Sequence, residues 1–111
     1  MFIASLTHKL CELYKFFHEC LKTFPKQEKY SLGLKIENTI LEIFEYSLSA
    51  MYLPKYKKGE KIKMASDKVD FLKYLIRLAY ETGSLNAKKY FVLEEKVLEL
   101  GKIMGGWLKS V

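Results

Sequence analysis

Apolar residues in this chain recur at intervals of three and four along its whole length, a spacing that gathers them on one side of an α-helix. The alternation of apolar and polar residues that a half-buried strand needs is missing. The helical rhythm breaks at Phe24-Pro25, from Leu53 to Glu60 and from Thr82 to Asn86. Four helices are therefore expected, and short links between them favour an antiparallel all-α bundle.

The first helix is expected from about Ser5 to Thr23, with Leu6, Leu10, Leu13, Phe17, Leu21 and Phe24 along one stripe. Pro25 ends it and suits the first turn of the next. The second, from Lys26 to Tyr52, carries Leu32, Ile36, Ile40, Ile43, Ser47 and Met51 toward the core. Leu34, Leu41 and Leu48, with Tyr30 and Tyr52, fall about 120–160° away from Ile36 on a helix of 3.6 residues per turn. That arc is wider than one core-facing side requires, and something outside the monomer core is expected to cover it. The third, from Lys61 to Thr82, repeats the feature. Ile62, Ala65, Val69, Leu72, Ile76 and Ala79 form its core stripe, while Phe71, Leu75 and Leu78 extend it sideways. Gly83 is the natural stop, and Asn86 or Ser84 is suited to cap the last helix, from Ala87 to Leu108.

The last helix has Tyr90, Leu93, Val97, Leu100, Met104 and Trp107 as its stripe, with Gly101 and Gly105 one turn apart at the edge. A helical glycine costs roughly 1 kcal/mol against alanine, so the pair implies that another backbone packs closely there. Gly-x-x-x-Gly is best known from membranes, but Lys102 and its charged neighbours argue for close packing in water.

All of this fits in one domain, because 111 residues hold a single core. Half the residues are apolar, enough to fill that core and to set disorder aside. Nineteen basic residues against thirteen acidic ones give a formal net charge of +6, and every basic residue except Arg77 is a lysine. Acidic partners are favoured. Lysine is a mobile point charge rather than a planar fork, so phosphate contact is expected ahead of base readout. The apolar run Phe2 to Leu6 is interrupted by His8 and Lys9 before a secretory core can form, and no stretch reaches transmembrane length. A cytoplasmic protein, with no membrane partner, is expected.

Catalytic and metal chemistry find little support. Cys11 and Cys20 on one helix stand about 13 Å apart at 1.5 Å per residue, too far to bridge. Cys11 and His18 share a face but lie about 10 Å apart, too far to share a metal. No third group or oxyanion loop would activate a cysteine, and no carboxylate stands in an apolar run. No enzyme, cofactor or metal is therefore expected. The strongest polar feature is the stretch from Tyr52 to Lys63, with Lys55, Lys57, Lys58, Lys61 and Lys63 among two tyrosines. Read as a helix-to-helix loop, it suits phosphate contact with base stacking, although a solvated connection has the same composition. Lys73 and Arg77 add charge on the third helix, where Asp70 and Glu81 stand in reach to pair with them.

Three strings in order, Phe24-Pro-Lys-Gln-Glu-Lys-Tyr-Ser-Leu-Gly33, Phe71-Leu-Lys-Tyr-Leu-Ile-Arg-Leu-Ala79 and Gly101-Lys-Ile-Met-Gly-Gly-Trp-Leu-Lys109, resemble the Avd family. These are the accessory variability determinants of diversity-generating retroelements. They fall within a wider four-helix-bundle family that includes proteins encoded in 23S rRNA intervening sequences. The resemblance spans Phe24 to Ser110, and Gly105-Gly106-Trp107 points to the Avd branch. It implies a non-enzymatic bundle that assembles as a pentameric ring, binds a reverse transcriptase and contacts RNA or cDNA. The basic positions it shares are Lys26, Lys29, Lys73, Arg77, Lys102 and Lys109. Lys73 and Lys102 stand where the family more often has arginine, which keeps charge and loses bidentate geometry. A ring also accounts for the broad apolar arcs. The alternative is a purely structural homo-oligomeric bundle of the intervening-sequence type, whose charge serves solubility.

Overall fold

The computed structural model describes residues 2–111, with side chains from Ser5 onward. The first helix, α1, is Phe2–Leu21, so it starts three residues before the expected Ser5. The side chains of Phe2 to Ala4, in the apolar run at its start, lie outside the described residues. Backbone bonds from Lys22, Thr23 and Phe24 to the carbonyls of Glu19, Cys20 and Leu21 close its end, and Phe24 turns inward to meet Phe17 edge-on at 5.7 Å. Extended Pro25 then opens α2. This helix is built without a break from Lys26–Glu28, a π-helical segment Lys29–Gly33, and Leu34–Met51. The third helix, α3, is Lys55–Glu81, and the fourth, α4, is Ala87–Lys109.

The largest departure from the sequence-based expectation is the start of α3. The lysine-rich stretch is the first turns of that helix and not a loop. Pro54, at the N-cap with φ −63° and ψ 154°, requires no N–H partner and leads straight into it. Lys58 then reaches back, its Nζ donating to the carbonyl oxygens of Ala50 at 2.7 Å and Met51 at 2.9 Å. A lysine there satisfies the last carbonyls of α2 and opposes its negative end.

The α3–α4 corner follows its residues closely. Gly83 takes φ +85°, which glycine alone adopts freely. The N–H of Ser84 bonds Ala79 O at 2.8 Å, and that of Gly83 bonds Tyr80 O at 3.1 Å, the pair of bonds of a Schellman motif. Asn86 is the cap of α4, its Oδ1 accepting from Lys89 N at 2.8 Å. Ser84 plays no such part: its hydroxyl is buried without a partner.

Consecutive helices run antiparallel, with α2 packed on α1 and α3, and α4 packed on α3 and α1; α2 and α4 lie on a diagonal. The core is one continuous cluster of the expected stripes, from Leu6 through Ile40 and Ile76 to Trp107. Leu32 and Met51 pack at its edge, while Thr39 and Ser47 enter it by donating to the carbonyls of Lys35 and Ile43, each at 2.7 Å. Leu75, expected on a flank, is a core residue: only 6% exposed, it lies three residues after Leu72 and four before Ala79.

The glycine that admits a close neighbour is Gly33. A Cβ there would fall 2.5 Å from Leu21 Cδ1, 3.2 Å from Phe24 Cδ2 and 3.3 Å from Glu28 O, whereas at Gly105 and Gly106 it would meet nothing within 4 Å. Gly33→Val should lower unfolding free energy by about 1–3 kcal/mol through overpacking. Gly106→Ala should raise it by about 0.5–1 kcal/mol, because helix propensity alone changes. Urea titration at fixed chain concentration checks both; a stabilising Gly33→Val would refute the corner. Lys58→Met should cost about 1 kcal/mol by uncapping α2, while Lys57→Met should stay within about 0.5 kcal/mol. Equal effects from the two lysines would remove the capping role.

Candidate interaction surfaces

Whether the molecule offers a reactive pocket is answered by where its titratable groups go. A broad cleft, about 480 Å³ and open to solvent, runs between α3 and α4 past Asp70, Lys73, Tyr74, Arg77, Tyr90 and Glu94. Its charges are matched locally: Lys73 lies 3.6 Å from Asp70, and Arg77 Nε lies 3.1 Å from Glu81. Tyr90 donates its hydroxyl to Glu94 at 2.9 Å, a bond that pushes the phenol above its usual pKa, and its ring stacks on Tyr80 at 4.4 Å. Nothing in this arrangement pairs a nucleophile with a base.

The soft ligands disperse as their spacing implies. Cys20 is buried, which raises its thiol pKa, and Cys11 is half-buried. His8 sits 3.5 Å from Glu12, and His18 is 3.8 Å from Glu37. Among the described residues no three His, Cys, Asp or Glu side chains converge where a metal ion could sit.

The nine basic residues singled out from the sequence do not form one patch. Lys26 and Lys29 lie at the start of α2, and Lys55 and Lys57 at the start of α3, the full length of α2 away, or about 38 Å at 1.5 Å per residue. All of the remaining five have partners inside the chain. Lys58 caps α2. Lys61 lies over the Tyr46 ring at 5.7 Å. Lys63 pairs with Asp67 at 2.6 Å, which raises its pKa, and Arg77 is raised likewise by Glu81. Lys73, beside Asp70, stands on the α3–α4 flank.

Topology adds partners that spacing did not reveal. Lys89 Nζ donates to Thr23 Oγ1 at 2.9 Å, which ties the start of α4 to the end of α1 and brings Lys88 to the Lys26 end. Val111 lies 4.0 Å from the position of a Cβ on Gly59, which brings Lys109 to the Lys55 end. Each end of the bundle thus gathers lysines that form no ion pair among the described residues: Lys26, Lys29 and Lys88 beside Lys89 at one, and Lys55, Lys57 and Lys109 beside Lys58 and Lys61 at the other. The signal was available in the sequence as lysines placed next to predicted helix ends, but it has meaning only once the helices are known to be antiparallel.

The sides of the bundle are apolar where the sequence pattern was too wide. On α2, Leu34, Leu41 and Leu48 are 44%, 45% and 38% exposed; on α3, Phe71 and Leu78 are exposed too. The Phe71 ring is bracketed by the ammonium groups of Lys35 at 5.7 Å and Lys68 at 5.8 Å. On α4, Phe91 and Leu98 also face solvent, at 60% and 47%. Both lie off the core stripe of α4, which is complete without them. Gly101 and Gly105 meet no backbone of their own chain. A Cβ on Gly101 would touch only Lys73 Nζ at 3.8 Å and Val69 Cγ1 at 3.9 Å, and Gly105 is open; Trp107 is buried in the core.

The same fold is found in a solved structure, a protein of unknown function from the S23 ribosomal protein family of Bacteroides thetaiotaomicron VPI-5482. It superposes with a TM-score of 0.87 at 15% identity, over 98% of this chain and 99% of that one. No curated protein matches. Among the described residues no helix is long and apolar enough to cross a membrane. The sequence profile described as bAvd-like matches residues 4–111, nearly the whole chain, and the chain therefore belongs to the bAvd-like family, whose members are not enzymes.

Proposed function

We propose that this Avd-like accessory protein serves a diversity-generating retroelement, self-associating into a ring, binding the element's reverse transcriptase and holding template RNA or cDNA by its phosphates. It works in the cytoplasm, where its two free thiols remain reduced. Family membership supplies the context. The observation that carries the nucleic-acid part is the gathering of lysines without carboxylate partners at the bundle ends, Lys26, Lys29, Lys88, Lys55, Lys57 and Lys109 among them, in a chain of net charge +6. A lysine already paired at i+4 exchanges one partner for another on binding a phosphate, whereas an unpaired one releases a counterion from the nucleic acid at little cost.

The test is RNA binding across a salt series. Replacing Lys26, Lys29 and Lys88 with Gln, or Lys55, Lys57 and Lys109 with Gln, should flatten log affinity against log salt at the end that binds. Each lost phosphate contact reduces the slope by roughly 0.7 to 0.9, according to strandedness. Lys63→Gln, which removes a paired lysine, should leave the slope nearly unchanged. A parent protein that fails to bind RNA at low salt would dispose of the nucleic-acid function. The structural homo-oligomeric bundle would then stand in its place.

A further inference from the structure

Two tyrosines stand on the corner that joins α2 to α3. Tyr52 closes α2, and Tyr56 lies in the first turn of α3, two residues beyond the N-cap Pro54. At 87% and 83% exposure they are the two most exposed large apolar side chains among the described residues. Other tyrosines of the chain have partners: Tyr14 bonds Glu37, Tyr46 lies under Lys61, and Tyr80 stacks on Tyr90 at 4.4 Å. The Tyr52 ring makes no hydrogen bond or ring contact among the described residues, and Tyr56 has only the ammonium of its neighbour Lys57, 5.6 Å from the ring centroid.

The corner that carries them is held by other groups. The N–H groups of Tyr52 and Leu53 bond the carbonyls of Ser49 and Ala50, and Lys58 ties the start of α3 to Ala50 and Met51. Neither tyrosine side chain takes part, so both rings are free while the backbone beneath them is fixed. A platform ordered by folding loses less entropy when a ligand arrives than one that must order on contact. The charge around it is of one sign: from Tyr52 to Lys63 the sequence holds five lysines and one carboxylate, Glu60, and Lys109 comes in from the end of α4.

The Lys26 end differs. Tyr30, the exposed tyrosine of that end, is set along α2 rather than on a corner and is less exposed, and Tyr80 has already given a face to Tyr90. Phosphate contact is available at both ends. Two free flat rings among the lysines are found at the Lys55 end.

We infer, on the basis of the nucleic-acid binding proposed above, that the Lys55 end is the one that binds and that it takes an unpaired strand, with bases stacked on Tyr52 and Tyr56 and phosphates on Lys55, Lys57 and Lys109. In a duplex the base faces are stacked on one another and the backbone alone is offered to a surface. In a single strand the faces are free, and a tyrosine ring covers one whatever the base, so the contact tolerates any sequence. Lysines by themselves hold either form by its phosphates. The tyrosines supply the preference for the unpaired one.

The experiment measures affinity at fixed low salt for three RNA probes of equal length: an oligouridylate, which does not pair with itself, the same sugar-phosphate strand without bases, and a duplex. Tyr52→Leu and Tyr56→Leu remove the flat ring and keep an apolar side chain; Tyr52→Phe and Tyr56→Phe keep the ring. Each Leu variant should bind the oligouridylate about fivefold or more weakly, with the salt slope unchanged, and each Phe variant should bind as the parent does. The baseless strand and the duplex should not register either change. Both side chains lie outside the core, so the helices should persist, and circular dichroism checks that they do.

A parent that binds the baseless strand as tightly as the oligouridylate, or Leu variants that bind as the parent does, would overturn the stacking inference and leave phosphate binding intact. Equal losses on strand and duplex would overturn it too, because stacking on a duplex is not available. A slope that flattens only when Lys26, Lys29 and Lys88 are replaced with Gln would move the site to the other end. A parent that binds none of the three probes defeats the nucleic-acid reading itself.

Discussion

A helix in a bundle hides only the part of its circumference that faces the common axis, and that limit decides most of what this protein presents to its surroundings. Leu10, Ile40, Ile76 and Leu93 and the residues in line with them fill one shared interior. Each such side chain contributes roughly 1.5–3 kcal/mol when fully removed from water. Once those lines are satisfied, the remaining apolar residues have nowhere to go inside a single chain. Leu34, Leu41, Phe91 and Leu98 are outside because the interior is complete without them, and not because the helices fit badly. They are the surface on which the self-association proposed above would draw.

How far the sequence foretold this depends on whether a feature is local. Helix stripes, the stop at Gly83 and the cap at Asn86 rest on spacing and on one residue's own conformational preference, and they stand where the pattern put them. The start of α3 was missed because apolar rhythm is the main evidence for a helix and Lys55 to Lys61 has none. Pro54 is compatible with either a break or an N-cap. What decides is Lys58, whose ammonium finds the carbonyl end of α2 only when the stretch is helical. Leu75 misled for a related reason: on a long helix, a residue on the stripe's edge becomes core or flank according to how the neighbouring helix is rotated. The close contact at Gly33 involves Leu21 at the end of α1 and Phe24 in the link after it, so nothing in the α2 sequence by itself places it, whereas the spacing of Gly101 and Gly105 is visible within one helix.

The charges sort in the same manner. Within a helix, Lys63 with Asp67 and Arg77 with Glu81 are neighbours by spacing alone and could be read directly. Such exposed pairs are worth little to stability, typically under about 1 kcal/mol, but they determine which cations are already occupied. Lysines without an ion pair stand along the helices as well, Lys15, Lys96 and Lys102 among them, but those near helix ends are the ones that topology brings together. Antiparallel topology then collects starts and stops from different helices, and separate lysines in the sequence become two clusters in space.

Apolar rows along the sides and lysines at the ends have a joint consequence. Side-to-side self-association of the kind proposed would use the long faces and leave both ends free, so that assembly and phosphate binding would not compete for surface. With parallel copies the Lys26 ends lie together on one rim and the Lys55 ends on the other. Repulsion between like charges on a rim opposes assembly, and it grows as salt is lowered because screening between copies weakens. An acidic polymer bound along a rim relieves that repulsion while gaining from every lysine at once. Nucleic acid would therefore favour the assembled form over the separate chains, and by linkage assembly would strengthen nucleic-acid binding by the same factor.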